Sequence, residues 1–221
     1  MDKSYVQQLE NVIKQMLTPL KNIPFNLVIE AVSGKKVIPF DINNQEHRDV
    51  LDLLKQAALT AGTEINKIGI LRQRPNEDGN DVEPYVLNAL KSLGLNAEIP
   101  KGLKGKKKTT GYPDILFWYK NNPYYLECKT YNNKNISTTQ RSFYFSPSED
   151  FKVRHDALHF ILSYEIYIAG VQGNKHLFKC KHYKIISLET LTTDLKYEFN
   201  SDNKRLYSGK DGAKILFEMD I

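Results

Sequence analysis

Tyr5, Val6, Leu9, Val12, Ile13 and Met16 recur at helical spacing, so the chain opens on an amphipathic helix with a packing face, ending before Pro19. Leu27 to Val32 and Val37 to Phe40, split by Ser33-Gly34-Lys35-Lys36, predict a short β-hairpin. Val50, Leu51, Leu54, Ala57 and Ala58 predict a second helix that stops near Gly62. The clearest stripe is Val82, Tyr85, Val86, Ala89, Leu90 and Leu93, a helix from Asp78 to Gly94 with Pro84 in its first turn and Gly94 just past its end. Glu83 lies at the border of that stripe, near the helix start.

The period then changes. Ile115 to Tyr119 is a short aromatic run, Lys120-Asn121-Asn122-Pro123 is a turn by composition, and Tyr124 to Tyr131 resumes as a second strand; together they predict an antiparallel hairpin. Two apolar-rich segments follow, His159 to Ala169 and His176 to Leu188, split by Gly170-Val171-Gln172-Gly173-Asn174. A short helix from Ser187 to Lys196, a turn at Gly209-Lys210-Asp211-Gly212 and a terminal strand from Ala213 to Phe217 complete the expectation. The class is mixed α/β (α+β). Residues 1–75 read as a helical and hairpin extension packed on a core formed by 76–221, the whole making one compact domain.

Composition narrows the partners. Of 221 residues 41% are hydrophobic and 26% charged, the balance of a chain that folds around its own core. Lys and Arg number 31 against 26 Asp and Glu, a net charge of +5 that favours a polyanion without compelling one. Lys101, Lys104, Lys106, Lys107 and Lys108 crowd one segment, whereas Glu77, Asp78, Asp81 and Glu83 gather elsewhere. Cys128 and Cys180 form no C-x-x-C spacing, and no apolar run approaches a membrane span. Met1-Asp2-Lys3-Ser4 begins an amphipathic pattern rather than a signal sequence, so the expected setting is the cytoplasm.

Candidate chemistry sits on the hairpin. Glu127 and Lys129 are two apart and so share one face of their strand, while Leu126, Cys128 and Thr130 take the other. An acid and a lysine side by side on an apolar strand are costly to bury unless they pair or bind a metal. Asp114 opens the partner strand, where the hairpin can bring it level with Glu127. Two carboxylates with the Cys128 carbonyl between them supply the hard oxygen ligands Mg²⁺ prefers, and a lysine beside them can orient water and offset phosphate charge. The bland reading is also open: a Glu127–Lys129 ion pair on a solvated face, with Asp114 capping a turn.

Pro113-Asp114, twelve residues, then Glu127-Cys128-Lys129 resembles the PD-(D/E)XK nuclease motif, in which the Asp and Glu bind metal and the Lys is catalytic. The preceding helix resembles that superfamily's first core helix, whose acidic residue often joins the metal site, and Glu83 is the position corresponding to it, so the resemblance implies Glu83 as a further metal ligand. Together with the polar segment that follows, the chain looks like a type II restriction endonuclease. The resemblance spans Val82 to Tyr131. It implies a restriction-endonuclease-like core, a mixed sheet flanked by helices, Mg²⁺-dependent hydrolysis of double-stranded DNA, and a homodimer acting on short palindromes. A structure-selective repair nuclease or junction resolvase, and a non-catalytic DNA-binding module of the same fold, are the alternatives.

Two segments are expected to touch DNA. Tyr131 to Ser142 is dense in amides and hydroxyls; within it Asn133, Lys134, Thr138, Thr139, Gln140 and Arg141 are suited to reading base edges, Gln140 and Arg141 foremost. Lys106, Lys107 and Lys108 are suited to clamping phosphates without sequence choice. No G-x-x-x-x-G-K-[ST] register fits their segment, so no nucleotide cofactor is expected. His155 and His159 lack a third ligand for zinc, and Phe143, Tyr144 and Phe145 are read as core in preference to a base-stacking platform.

Overall fold

The computed structural model describes residues 2–18, 20–73, 79–105, 111–132, 136–138, 143, 145, 150–196, 214 and 219. The chain divides into two units, residues 1–23 with 193–221, and residues 24–192. In the first, helix α1 (Lys3–Met16) is capped by the Asp2 carboxylate, which accepts from the Ser4 N–H at 3.1 Å. Its expected stripe is present, but no α1 residue is buried and Tyr5, Leu9, Val12 and Ile13 stay partly exposed. Within the same unit Leu195 N–H donates to the Leu20 carbonyl at 2.9 Å.

The second unit carries the core. The hairpin expected at residues 27–40 is not formed: Phe25–Ser33 is helix α2, closed by Gly34 at φ 66°, and Val37 makes only an isolated parallel bridge to Ala157. Phe25, Val28, Ile29 and Val32 follow i, i+3, i+4, i+7 spacing, which outweighs the β-branched composition that suggested strands. Helix α3 (Gln45–Ile68), capped by Asn44, runs straight through Gly62 to stop at Gly69. Gly62 is not a stop signal. A Cβ there would lie 3.2 Å from the Tyr164 ring, so its bare Cα is what lets the helix approach the sheet. Helix α4 (Gly79–Ser92) matches its stripe, though Pro84 falls in the second turn.

The two-residue strands β1 (Ile23–Pro24) and β8 (Thr192–Thr193) pair separately. The main sheet has six strands: β2 (Ile70–Arg72), β3 (Asn96–Glu98), β4 (Ile115–Tyr119), β5 (Asn122–Tyr131), β6 (Leu158–Gln172) and β7 (Lys175–Ser187). Their spatial order is β2-β7-β6-β5-β4-β3, and only β5 and β6 run parallel. This is the expected mixed α/β core, a central mixed sheet flanked by helices. The helix expected at 187–196 is replaced by a turn, with Leu191 N–H on the Leu188 carbonyl, followed by β8. Glu189 is the reason: its carboxylate accepts from the Phe40 N–H and the Ser187 hydroxyl, which fixes a turn. The turn and terminal strand expected at 209–217 lie outside the described residues. Among the described residues no helix is long and apolar enough to cross a membrane.

One sheet face buries Leu126, Cys128, Phe160, Leu162 and Tyr164 against Val50, Leu54 and Ile65 of α3 and Val86 and Leu90 of α4. The other face buries Tyr125 and Ile161 with Phe25, Ile29 and Tyr112, and Phe143 and Phe145 pack there as expected of core rings. His159 belongs to this second core: its ring lies 4.9 Å from Tyr125, and its Nδ1 shares a 2.5 Å hydrogen bond with the Tyr112 hydroxyl. His155 lies in a bend ahead of β6 and His159 on the strand itself, so the two do not share the helix turn that their spacing suggested.

Burial pulls the His159 pKa down from 6.5 to about 3. The unfolded chain binds the proton first, so His159 contributes stability above pH 6.5 that is lost as pH falls toward 3. Between pH 7.5 and 5 the parent should lose about 2 kcal/mol relative to a His159→Phe variant. Urea unfolding of both proteins at the two pH values checks this, and a constant difference contradicts it.

Candidate active site

The hairpin register fixes the site. Ile115 pairs with Leu126, and one step further sets Asp114, just ahead of β4, level with Glu127. Beyond Leu126 the β4 edge of β5 is unpaired by strand, and there the Cys128 N–H donates to Asp114 Oδ2 at 2.8 Å. On the face of the second core, Glu127 Oε1 meets Lys129 Nζ at 2.6 Å. Asp114, Glu127 and Lys129 are therefore together at one end of the hairpin.

Their burial makes the arrangement tense. Glu127 is 4% exposed, and its second oxygen, Oε2, is buried without a hydrogen-bond partner. Desolvation first, then the Asp114 charge, push the Glu127 carboxyl up to about 7, against the pull of Lys129 and Lys152. Burial likewise raises Asp114, opposed by the Cys128 N–H and the two lysines. Burial would lower the Lys129 ammonium, but Glu127 and Asp114 prevail and hold it above its usual value. Glu83, half-buried on α4, is raised by desolvation and by the nearby Asp114 charge.

An unpartnered buried carboxylate oxygen facing a second carboxylate suits a divalent cation. The N–H and C=O of one strand residue project to the same edge, so the Cys128 carbonyl shares the edge on which its N–H meets Asp114. The Cys128 thiol does not belong to the site: it is 1% exposed in the helix-side core, where burial raises its pKa well above normal. Among the described residues no three His, Cys, Asp or Glu side chains form a ready-made metal cage. Asp114, Glu127 and the Cys128 carbonyl are the groups that could hold a metal, with Glu83 an electrostatic neighbour.

Lys152 is a participant the sequence reading missed. It is 2% exposed, and its ammonium donates to the Gly111 carbonyl at 2.6 Å and the Pro113 carbonyl at 2.9 Å, gripping the turn that presents Asp114. Its charge also lowers the pKa values of Glu83, Asp114 and Glu127. The only signal was a lysine set between Phe151 and Val153.

Of the residues expected to touch DNA, Thr138 is described and exposed. Lys106, Lys107, Lys108, Asn133, Lys134, Thr139, Gln140 and Arg141 lie outside the described residues. The stretch leading to the lysines is anchored by Asp150, which accepts from the Lys104 N–H at 3.1 Å. Gly102 packs directly beside it: a Cβ there would fall 2.3 Å from the Asp150 carboxylate, which would have to shift.

Residues 19–210 match the family model described as the type II restriction enzyme MjaV family. The type II restriction enzyme MjaV of Methanocaldococcus jannaschii is 39% identical over 236 residues, covering 100% of this chain and 99% of that protein. No solved structure matches.

Removing the Lys152 ammonium leaves two turn carbonyls without their donor. Lys152→Met is expected to destabilise the protein by roughly 1–3 kcal/mol in urea unfolding; a change within about 0.5 kcal/mol would place it among ordinary surface positions.

Proposed function

The chain belongs to the type II restriction enzyme MjaV family, and on that premise we propose that Asp114, Glu127 and Lys129 form its phosphodiesterase site, using Mg²⁺ to cut double-stranded DNA at a specific sequence. The observation that carries this assignment is the buried, unpartnered Glu127 Oε2 beside a second buried carboxylate. Asp114 and Glu127 would hold the cation, together with the Cys128 carbonyl. Once bound, Mg²⁺ supplies an acidified water and shields the phosphate's charge.

Each side chain has a defined task. The Cys128 N–H fixes the Asp114 carboxylate, and Lys152 fixes the turn beneath it. Glu127 Oε1 aims the Lys129 ammonium, which retains 26% side-chain exposure. From there Lys129 can orient the attacking water and offset charge gathering on the phosphorus oxygens. Glu83 adds negative potential from the helix side.

Around this centre we assign Lys106, Lys107 and Lys108 to the DNA backbone, and Asn133, Lys134, Thr138, Thr139, Gln140 and Arg141 to the bases. A homodimer would present two such centres to the two strands of a palindrome, and the cytoplasm is its expected place of work.

The test is plasmid or phage DNA incubated with the purified protein, with and without Mg²⁺. Discrete fragments should form only with the metal. Asp114→Ala and Lys129→Ala should each lower the rate by roughly a hundredfold or more. Variants that cut like the parent refute the assignment, and cleavage confined to branched substrates replaces it with a junction resolvase.

A further inference from the structure

The polar row that begins at Glu127 and Lys129 does not end at β5. Cross-strand partners share a face. Register carries Lys129 to Ser163 on β6 and then to Lys184 on β7; one row further, it carries Tyr131 to Glu165 and His182. The aromatic core covers the other end of this face; in these rows Ser163 and Glu165 are buried, Lys129, Tyr131 and Lys184 half-buried and His182 exposed. A cleft of about 420 Å³ lies between Tyr131, Glu165, Lys181, His182 and Lys184.

Its cations are positioned, not merely present. The Lys184 ammonium stands 4.9 Å over the Tyr131 ring, and among the described residues no carboxylate pairs with it. The register shifts between Glu165 and Ile166, which face His182 and Cys180, leaving Lys181 as the extra residue of a β-bulge. A bulge re-aims a side chain, and Lys181 turns onto Glu165 at 2.7 Å while remaining 53% exposed. Glu165, 7% exposed, is thereby answered, so two lysines face one carboxylate and the cleft is net positive.

We propose that this cleft is a phosphate-binding subsite that seats a backbone phosphate of the DNA strand next to the cleaved phosphodiester, contacted by Lys184 and Lys181, with Tyr131 holding Lys184 in position. The inference rests on the endonuclease reading above. Three features fit such an occupant: positive charge, continuity with the face that bears Lys129, and a distance of two strands, about 10 Å at the usual strand spacing. Contacts of this kind give affinity without sequence choice.

The test is fluorescence anisotropy with labelled duplexes of two unrelated sequences, in metal-free buffer so that nothing is cut, between about 50 and 200 mM salt. Each phosphate contact adds about 0.9 to the slope of log affinity against log salt. Lys184→Gln should lower the slope and Lys181→Gln/Lys184→Gln should lower it by about 1, the share of the one phosphate seated there, equally for both duplexes. Lys184→Arg and Lys181→Arg should keep the parent slope, and so should Lys67→Gln on α3. A double Gln variant with the parent slope overturns the subsite. So does an equal loss in Lys67→Gln, or a loss that the Arg variants share, which would reveal a structural role. A parent protein that neither binds duplex in a salt-dependent way nor cuts it with Mg²⁺ refutes the endonuclease reading itself.

Discussion

Two carboxylates, Asp114 and Glu127, are held level with each other in a nearly dry end of a β-hairpin, and the rest of the site answers their repulsion. Neither is at ease as an anion there: desolvation raises both pKa values, and the Asp114 charge raises that of Glu127 further. Lys129 pairs with one, the Cys128 N–H steadies the other, and the Lys152 charge favours both as anions. The balance remains incomplete, since Glu127 Oε2 has no partner. A divalent cation would complete it with the oxygen chemistry that phosphodiester hydrolysis needs.

The fold exists around that tension in a traceable way. Antiparallel β4–β5 register levels the two acids, and the parallel β5–β6 pair extends the Lys129 face across two more strands. Helix α4 closes the opposite face with Val86 and Leu90 and brings Glu83 toward Asp114. Gly62 lets α3 lie against Tyr164, whose hydroxyl reaches the Ala58 carbonyl at 2.8 Å. The aromatic core of Phe25, Tyr112, Tyr125 and His159 supports the turn from which Asp114 projects.

Local features were legible from sequence and long-range ones were not. Alternation along 124–131 and the Asn-rich turn at 120–122 determine the hairpin and therefore the Asp114–Glu127–Lys129 grouping. Helix α4 was equally plain from its stripe. Val28, Ile29 and Val32 are β-formers at helical spacing, so their composition points to strands where α2 forms, and Gly62 resembles a helix end although its role depends on Tyr164 far along the chain. Lys152 leaves no pattern because its partners are main-chain carbonyls of Gly111 and Pro113. The cleft beyond Tyr131 is likewise invisible, since it is lined from three strands, β5, β6 and β7, whose pairing brings its residues together.

Binding of Mn²⁺, a spectroscopic stand-in for Mg²⁺, tests the central claim most directly when followed by electron paramagnetic resonance on the parent, Asp114→Asn, Glu127→Gln and Cys128→Ala proteins. The account predicts binding by the parent and by Cys128→Ala, which keeps the main-chain carbonyl, and loss of binding in both carboxamide variants. Parent-like binding in Asp114→Asn and Glu127→Gln would contradict it.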